Sequence, residues 1–135
     1  MAAVWPPPGV HASFVVGYVK LDFKGPDWSW LWVLTNLLFV CVAEEALFRG
    51  FIQEQLSQIF RSQKNGSIWA LRIAAILFGL AHFKGGWILV GLAIVAGVFY
   101  GLAYKETRRV EAPILTHFAF NLIHFVAFTY PALRP

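Results

Sequence analysis

The chain has 135 residues, enough for one domain, and 59% of them are hydrophobic against 13% charged, with a mean hydropathy of +0.62. A soluble domain of this length buries too small a share of its surface to hide several long apolar runs, so lipid must cover what the protein cannot. The net charge of +4 does not mark a nucleic-acid partner, because the eleven Lys and Arg are scattered through loops and ends with no basic stripe among exposed aromatics.

Residues 1–27 read as an irregular or interfacial lead-in. They carry Pro6-Pro7-Pro8 and a short apolar patch (Phe14, Val15, Val16, Tyr18), too short for the roughly 20 residues a bilayer-spanning helix needs. No basic n-region precedes Gly9, so the start does not read as a cleaved signal peptide.

Residues 28–135 read as the core, an all-α polytopic bundle of about four transmembrane helices, which makes the chain a multi-pass integral membrane protein. The first helix is expected over residues 28–60, with Asp27 as N-cap and Trp28, Trp30 and Trp32 at the depth of an aromatic belt. A basic turn over 61–66 leads to a second helix over 67–83, broken by Lys84-Gly85-Gly86. The third helix, 87–104, carries Ala93, Gly97 and Gly101 at four-residue spacing, a stripe that lets another helix approach closely in lipid. After a charged loop over 105–111, Pro113 suits the first turn of a fourth helix running to residue 130. In this layout Arg61, Lys64, Arg72, Lys105, Arg108 and Arg109 lie on the cytoplasmic side, with Lys20, Lys24, Lys84 and Arg134 opposite. The lone Cys41 lies in an apolar run and supplies neither a disulfide framework nor a cysteine metal cluster.

An ionisable group inside a span costs about 2.5 to 3.5 kcal/mol on insertion scales, so Glu44, Glu45 and Arg49 in the first helix demand a reason. Glu45 and Arg49 are four apart, share a face and have the acid N-terminal to the base, the better order for a pair. Glu44 points about 100° away and has no intrahelical partner. A carboxylate without a countercharge in a low-dielectric site makes a stronger base, which marks Glu44 as the candidate general base. On the fourth helix His117, Asn121 and His124 project from one stripe, and His82 ends the second helix. A carboxylate and an imidazole can hold and deprotonate a water, while an amide and a second imidazole can donate to a peptide oxyanion. Alternatively, Glu44, His82 and His117 could bind zinc and lower the pKa of its water. The plainer readings are an interfacial His82, a structural Glu45–Arg49 pair, and His117 with Asn121 as an interhelical hydrogen-bonding pair to which His124 also belongs.

Three patterns stand in order: Glu44-Glu45-Ala46-Leu47-Phe48-Arg49, then Phe78-Gly79-Leu80-Ala81-His82, then His117-Phe118-Ala119-Phe120-Asn121. Together they resemble the EExxxR, FxxxH and HxxxN motifs of the CPBP intramembrane protease family, also called Abi or CAAX-protease-like, which includes the type II CAAX prenyl endopeptidases. The resemblance implies catalytic roles for Glu44 and His82 on the water and for His117 and Asn121 on the oxyanion, with Glu45 and Arg49 as a supporting pair. It implies a membrane-anchored or lipidated protein substrate, with either zinc or a metal-free water as the hydrolytic agent. Family members usually carry several more membrane helices before the first motif. The family's bacteriocin-immunity members suggest an alternative, a non-catalytic partner-binding membrane protein; an ion relay through Glu44 fits the Asn and His pair less well. One tension attends the layout. His82 falls near one membrane face and His117 about 8 Å from the other at 1.5 Å rise per residue, so they meet only if the second helix is displaced along the membrane normal.

Overall fold

A computed structural model describes residues 13–14, 19–20, 22 and 25–128; Pro6-Pro7-Pro8, Lys24, Tyr130 and Arg134 lie outside them. In the lead-in, β1 (Ser13–Phe14) and β2 (Val19–Lys20) pair antiparallel with Ser13 opposite Lys20. The N–H of Asp22 donates to Ala127 O at 2.8 Å, tying the lead-in to the end of the last helix.

The core is an all-α bundle. Among the described residues it has four main helices: α1 (Ser29–Ile59), α2 (Gly66–Ala81), α3 (Gly86–Thr107) and α4 (Glu111–Ala127). A 3-10 turn, Phe83–Gly85, joins α2 to α3. By length and hydropathy α1 and α3 can cross a membrane, while α2 is a shorter apolar helix. Large apolar side chains face outward around the bundle, with Trp30 65%, Phe39 76% and Trp87 71% exposed, a surface suited to lipid rather than water.

The expected Asp27 cap is not made. Trp28 occupies the N-cap position without a side-chain hydrogen bond, because the Pro26 carbonyl closes the turn by accepting both the N–H and the hydroxyl of Ser29. Beyond its first two turns α1 departs from 3.6-residue geometry. π-helical stretches Asn36–Cys41 and Ala46–Gln53 flank an α-helical stretch, Val42–Glu45, and such widened turns often mark functional sites. The i to i+5 stacking brings Cys41 Sγ to 3.4 Å from Asn36 Oδ1, to which it donates.

The small-residue stripe does what its spacing predicts. A Cβ on Gly97 would meet Ala75 Cα and Arg49 Nη2 at 3.2 Å, and one on Gly101 would meet Leu71 Cγ at 2.8 Å, so these glycines are where α2 and α1 close on α3. From α2, Gly79 adds a third close approach, its Cβ position lying 2.8 Å from Val90 O. The core so enclosed is Phe48, Phe78, Ala93 and Tyr100.

At 1.5 Å per residue, α1 is about 46 Å long, whereas α2 and α4 are each about 25 Å. The two short helices divide α1 between them. Trp32, in its first part, stacks on Phe125 of α4 at 4.1 Å, and Phe48, in its second part, meets Phe78 of α2 edge-on at 5.2 Å. α2 and α4 are therefore staggered along α1, and the late end of α2 meets the early part of α4 at the level of Glu44 and Glu45. This displacement removes the tension between His82 and His117.

Candidate active site

Adjacent in sequence, the two glutamates of α1 enter different environments. Glu45 is fully buried and bridges two helices: Arg49 Nη1 lies 3.0 Å from its Oε2 and donates to its Oε1 at 3.3 Å, and His117 Nδ1 lies 2.7 Å from the same Oε1. The carboxylate can only accept, so Nδ1 of His117 carries the proton and Nε2 is left for other work. Arg49, also fully buried, donates through Nη2 to Gly97 O at 2.8 Å, and its guanidinium lies 4.6 Å from the Phe78 ring and 5.3 Å from the Tyr100 ring. A buried charge pair needs partners for its remaining polar atoms; here His117 and Gly97 supply two and aromatic faces flank the guanidinium, while among the described residues Glu45 Oε2 has only its 3.0 Å ion contact with Arg49 and Arg49 Nε makes no hydrogen bond.

Glu44 turns to the other side. Its side chain is 31% exposed, its Oε2 is buried without a hydrogen bond, and His82 Nε2 approaches that oxygen to 4.0 Å. Nδ1 of His82 donates to the Phe78 carbonyl at 2.8 Å; a carbonyl can only accept, so in the neutral ring Nε2 offers a lone pair toward Glu44. The pair is one open carboxylate and one open imidazole nitrogen from different helices.

Asn121 lies deeper along α4. Its amide donates to Asn36 Oδ1 at 3.2 Å and to Cys41 Sγ at 3.7 Å, so both N–H groups face α1. His117, Asn121 and His124 line a groove of about 430 Å³ between α3 and α4, which agrees with the shared stripe read from their spacing. The ring of Phe78 stands between the two histidines, 4.7 Å from His82 and 5.7 Å from His117. The predicted residues thus gather as two neighbouring groups, Glu44 with His82 and His117 with Asn121, with Glu45 and Arg49 behind the second. The zinc set does not assemble in this arrangement: among the described residues no three His, Cys, Asp or Glu side chains gather closely enough to hold a metal ion.

The profile of the Type II CAAX prenyl endopeptidase Rce1-like family matches residues 26–123, a span that holds both groups. The chain belongs to the Rce1-like family. It is 26% identical over 88 residues to the protein YpbD of Bacillus subtilis (strain 168), which covers 64% of this chain and 40% of that one. The chain thus spans about two fifths of the length of the curated relative it matches. No solved structure matches.

Two buried polar residues of this Rce1-like chain, Asn36 and Gln53, and the buried ring of Tyr100 escaped the sequence reading. Gln53 donates to Gly101 O at 3.0 Å and extends the four-residue stripe of Glu45 and Arg49 by one more step, a signal that was available. Asn36 is a lone amide beside an apolar run, but its tie to Cys41 runs through a π turn that a 3.6-residue wheel does not show. Tyr100 looks like ordinary lipid-facing aromatic content until its ring is seen against His117.

Proposed function

We propose that this chain carries the catalytic core of a multi-pass intramembrane endopeptidase that hydrolyses a peptide bond near the C-terminus of a membrane-anchored or lipidated protein. The observation that carries this reading is the Glu44–His82 pair, 4.0 Å apart, with Glu44 Oε2 unbonded and His82 Nε2 presenting a lone pair. Hydrogen bonds of about 2.8 Å from one shared water span that separation with an angle of about 90° at the water oxygen. Such a water donates both protons, one to the carboxylate and one to the imidazole, and directs its own lone pairs outward.

In this reading the water oxygen attacks the scissile carbonyl carbon as Glu44 takes a proton. The carbonyl oxygen becomes an oxyanion, and collapse breaks the C–N bond as Glu44 returns the proton to the leaving amine. The oxyanion takes a hydrogen bond from the N–H of Asn121 now turned to Cys41 Sγ, the weaker of its two contacts at 3.7 Å, and His117 adds one from Nε2 once that nitrogen has taken a proton from solvent, Nδ1 keeping its own for Glu45. Glu45 holds the His117 ring through Nδ1, and Arg49 neutralises Glu45.

The test is cleavage of an internally quenched peptide ending in a farnesylated CAAX sequence, in detergent micelles. Glu44→Gln is expected to reduce the rate by about 10² to 10⁴-fold while the protein stays folded; equal rates for the two proteins would end the protease reading. Because the zinc ligands do not gather, EDTA is expected to leave the wild-type rate unchanged, and loss that added zinc restores would move the chemistry to a metal.

A second reading has one observation in its favour: both N–H groups of Asn121 are already engaged by Asn36 and Cys41. A non-catalytic partner-binding membrane protein would keep such contacts for helix packing, and it would be indifferent to the near-isosteric change at Glu44.

A further inference from the structure

The backbone of α3 is fastened to α1 on successive turns: Gly97 O accepts from Arg49 and Gly101 O from Gln53. Tyr100 lies between these anchors and is 2% exposed, so its ring has a fixed platform. That ring lies against His117 with centroids 4.6 Å apart and planes within 15°, and it meets Phe78 and Phe120 edge-on at 5.8 Å each. The His117 imidazole itself is held by one hydrogen bond, from Nδ1 to Glu45. A single bond fixes the position of Nδ1 and leaves the ring free to pivot about it, which would swing Nε2 through an arc. A parallel aromatic face removes that freedom, because tilting the imidazole separates the stacked surfaces.

We infer that Tyr100 is a positioning residue for His117, its ring setting the plane of the imidazole and hence the direction of Nε2. The role belongs to the flat ring rather than to the phenolic hydroxyl. It rests on the protease reading only for its kinetic consequence; the contact itself is testable without any substrate.

The experiment uses the full chain in micelles with 13C- and 15N-labelled histidine, the His117 signals being identified by their loss in His117→Ala. In the wild type the ring C–H signals of His117 are expected upfield, as a stacked aromatic face requires, as one set with the proton on Nδ1; signals at ordinary histidine positions would overturn the inference even if no Tyr100 variant folds. Tyr100→Leu, which keeps apolar bulk without a flat face, is expected to move and broaden these signals, and Tyr100→Phe to restore them. On the farnesylated peptide, Tyr100→Leu is expected to lower kcat by about tenfold or more with KM held, since small misplacements of a reacting group are costly, and to have no further effect in a His117→Ala background. Unchanged His117 signals in Tyr100→Leu, or additive losses in the double variant, would overturn the positioning role. Shifted signals in a protein that cleaves nothing would leave the positioning role standing and remove the protease reading.

Discussion

Glu44 and Glu45 are neighbours on one helix and share a side-chain chemistry, yet one is open and under-bonded while the other is buried and held from two helices. The difference comes from about 100° of helical rotation. Glu45 faces the seam where α3 and α4 meet α1, and there Arg49 matches its charge and His117 bonds its Oε1. Glu44 faces the end of α2, where the chain leaves α-helical geometry and His82 approaches to 4.0 Å. The lesson is that a polar cluster in a membrane helix need not be one site. Here an ion pair braced by a second helix lies beside a carboxylate and an imidazole that approach each other without a direct hydrogen bond.

This contrast can be broken from either side. The largest effect on stability is expected from Arg49→Met, which leaves Glu45 buried without its countercharge; removing one partner of such a pair costs about 3 to 5 kcal/mol, readable as a lower melting point in detergent and a poor folded yield. Next comes Gly97→Ala, whose new methyl group would sit 3.2 Å from both Ala75 Cα and Arg49 Nη2. Pressing on a packed seam costs about 1 to 3 kcal/mol, and the same measurement should show it. The smallest effect is expected at Glu44, where a change to Gln should leave stability within about 0.5 kcal/mol, although it is the variant expected to lose the most activity. If Glu44→Gln instead melted as early as Arg49→Met, the division between the braced ion pair and the open pair would fail.

Much of this arrangement was written in the order of residues. The apolar runs and their breaks give the four helices to within a few residues at each end, and the 87–104 stripe of small residues does mark the close face of α3. The Glu45–Arg49 pair follows from four-residue spacing alone. What sequence could not supply is relative height. Four helices of unequal length can slide past one another without changing any periodicity, and only packing, Phe48 on Phe78 and Trp32 on Phe125, fixes the stagger that brings His82 and His117 to one level. The second thing hidden was the number of residues per turn. The π stretches around Glu44 and Glu45 rotate each face away from its ideal wheel position, so Asn36 and Cys41 meet Asn121 in a way that a regular helix would not predict. The sequence reading set His117 beside Asn121 and His124, and with Glu44 and His82 as possible zinc ligands, but not with Glu45; that bond crosses 72 positions of sequence, beyond the reach of any local pattern.

The early end of α2 has a consequence for the solvent. His82 meets α1 about 22 Å along that helix from its start, and directly after it come the exposed Lys84, Gly85 and Gly86, a 3-10 turn that satisfies the Gly85 and Gly86 amides internally but leaves the Lys84 ammonium group to be hydrated. Irregular backbone at membrane depth persists only where protein or water satisfies it, and a helix shorter than the hydrocarbon layer thins the bilayer around it. In a bilayer, a helix as short as α2 is expected to thin the hydrocarbon layer at this corner and so bring the aqueous phase closer to Glu44 and His82.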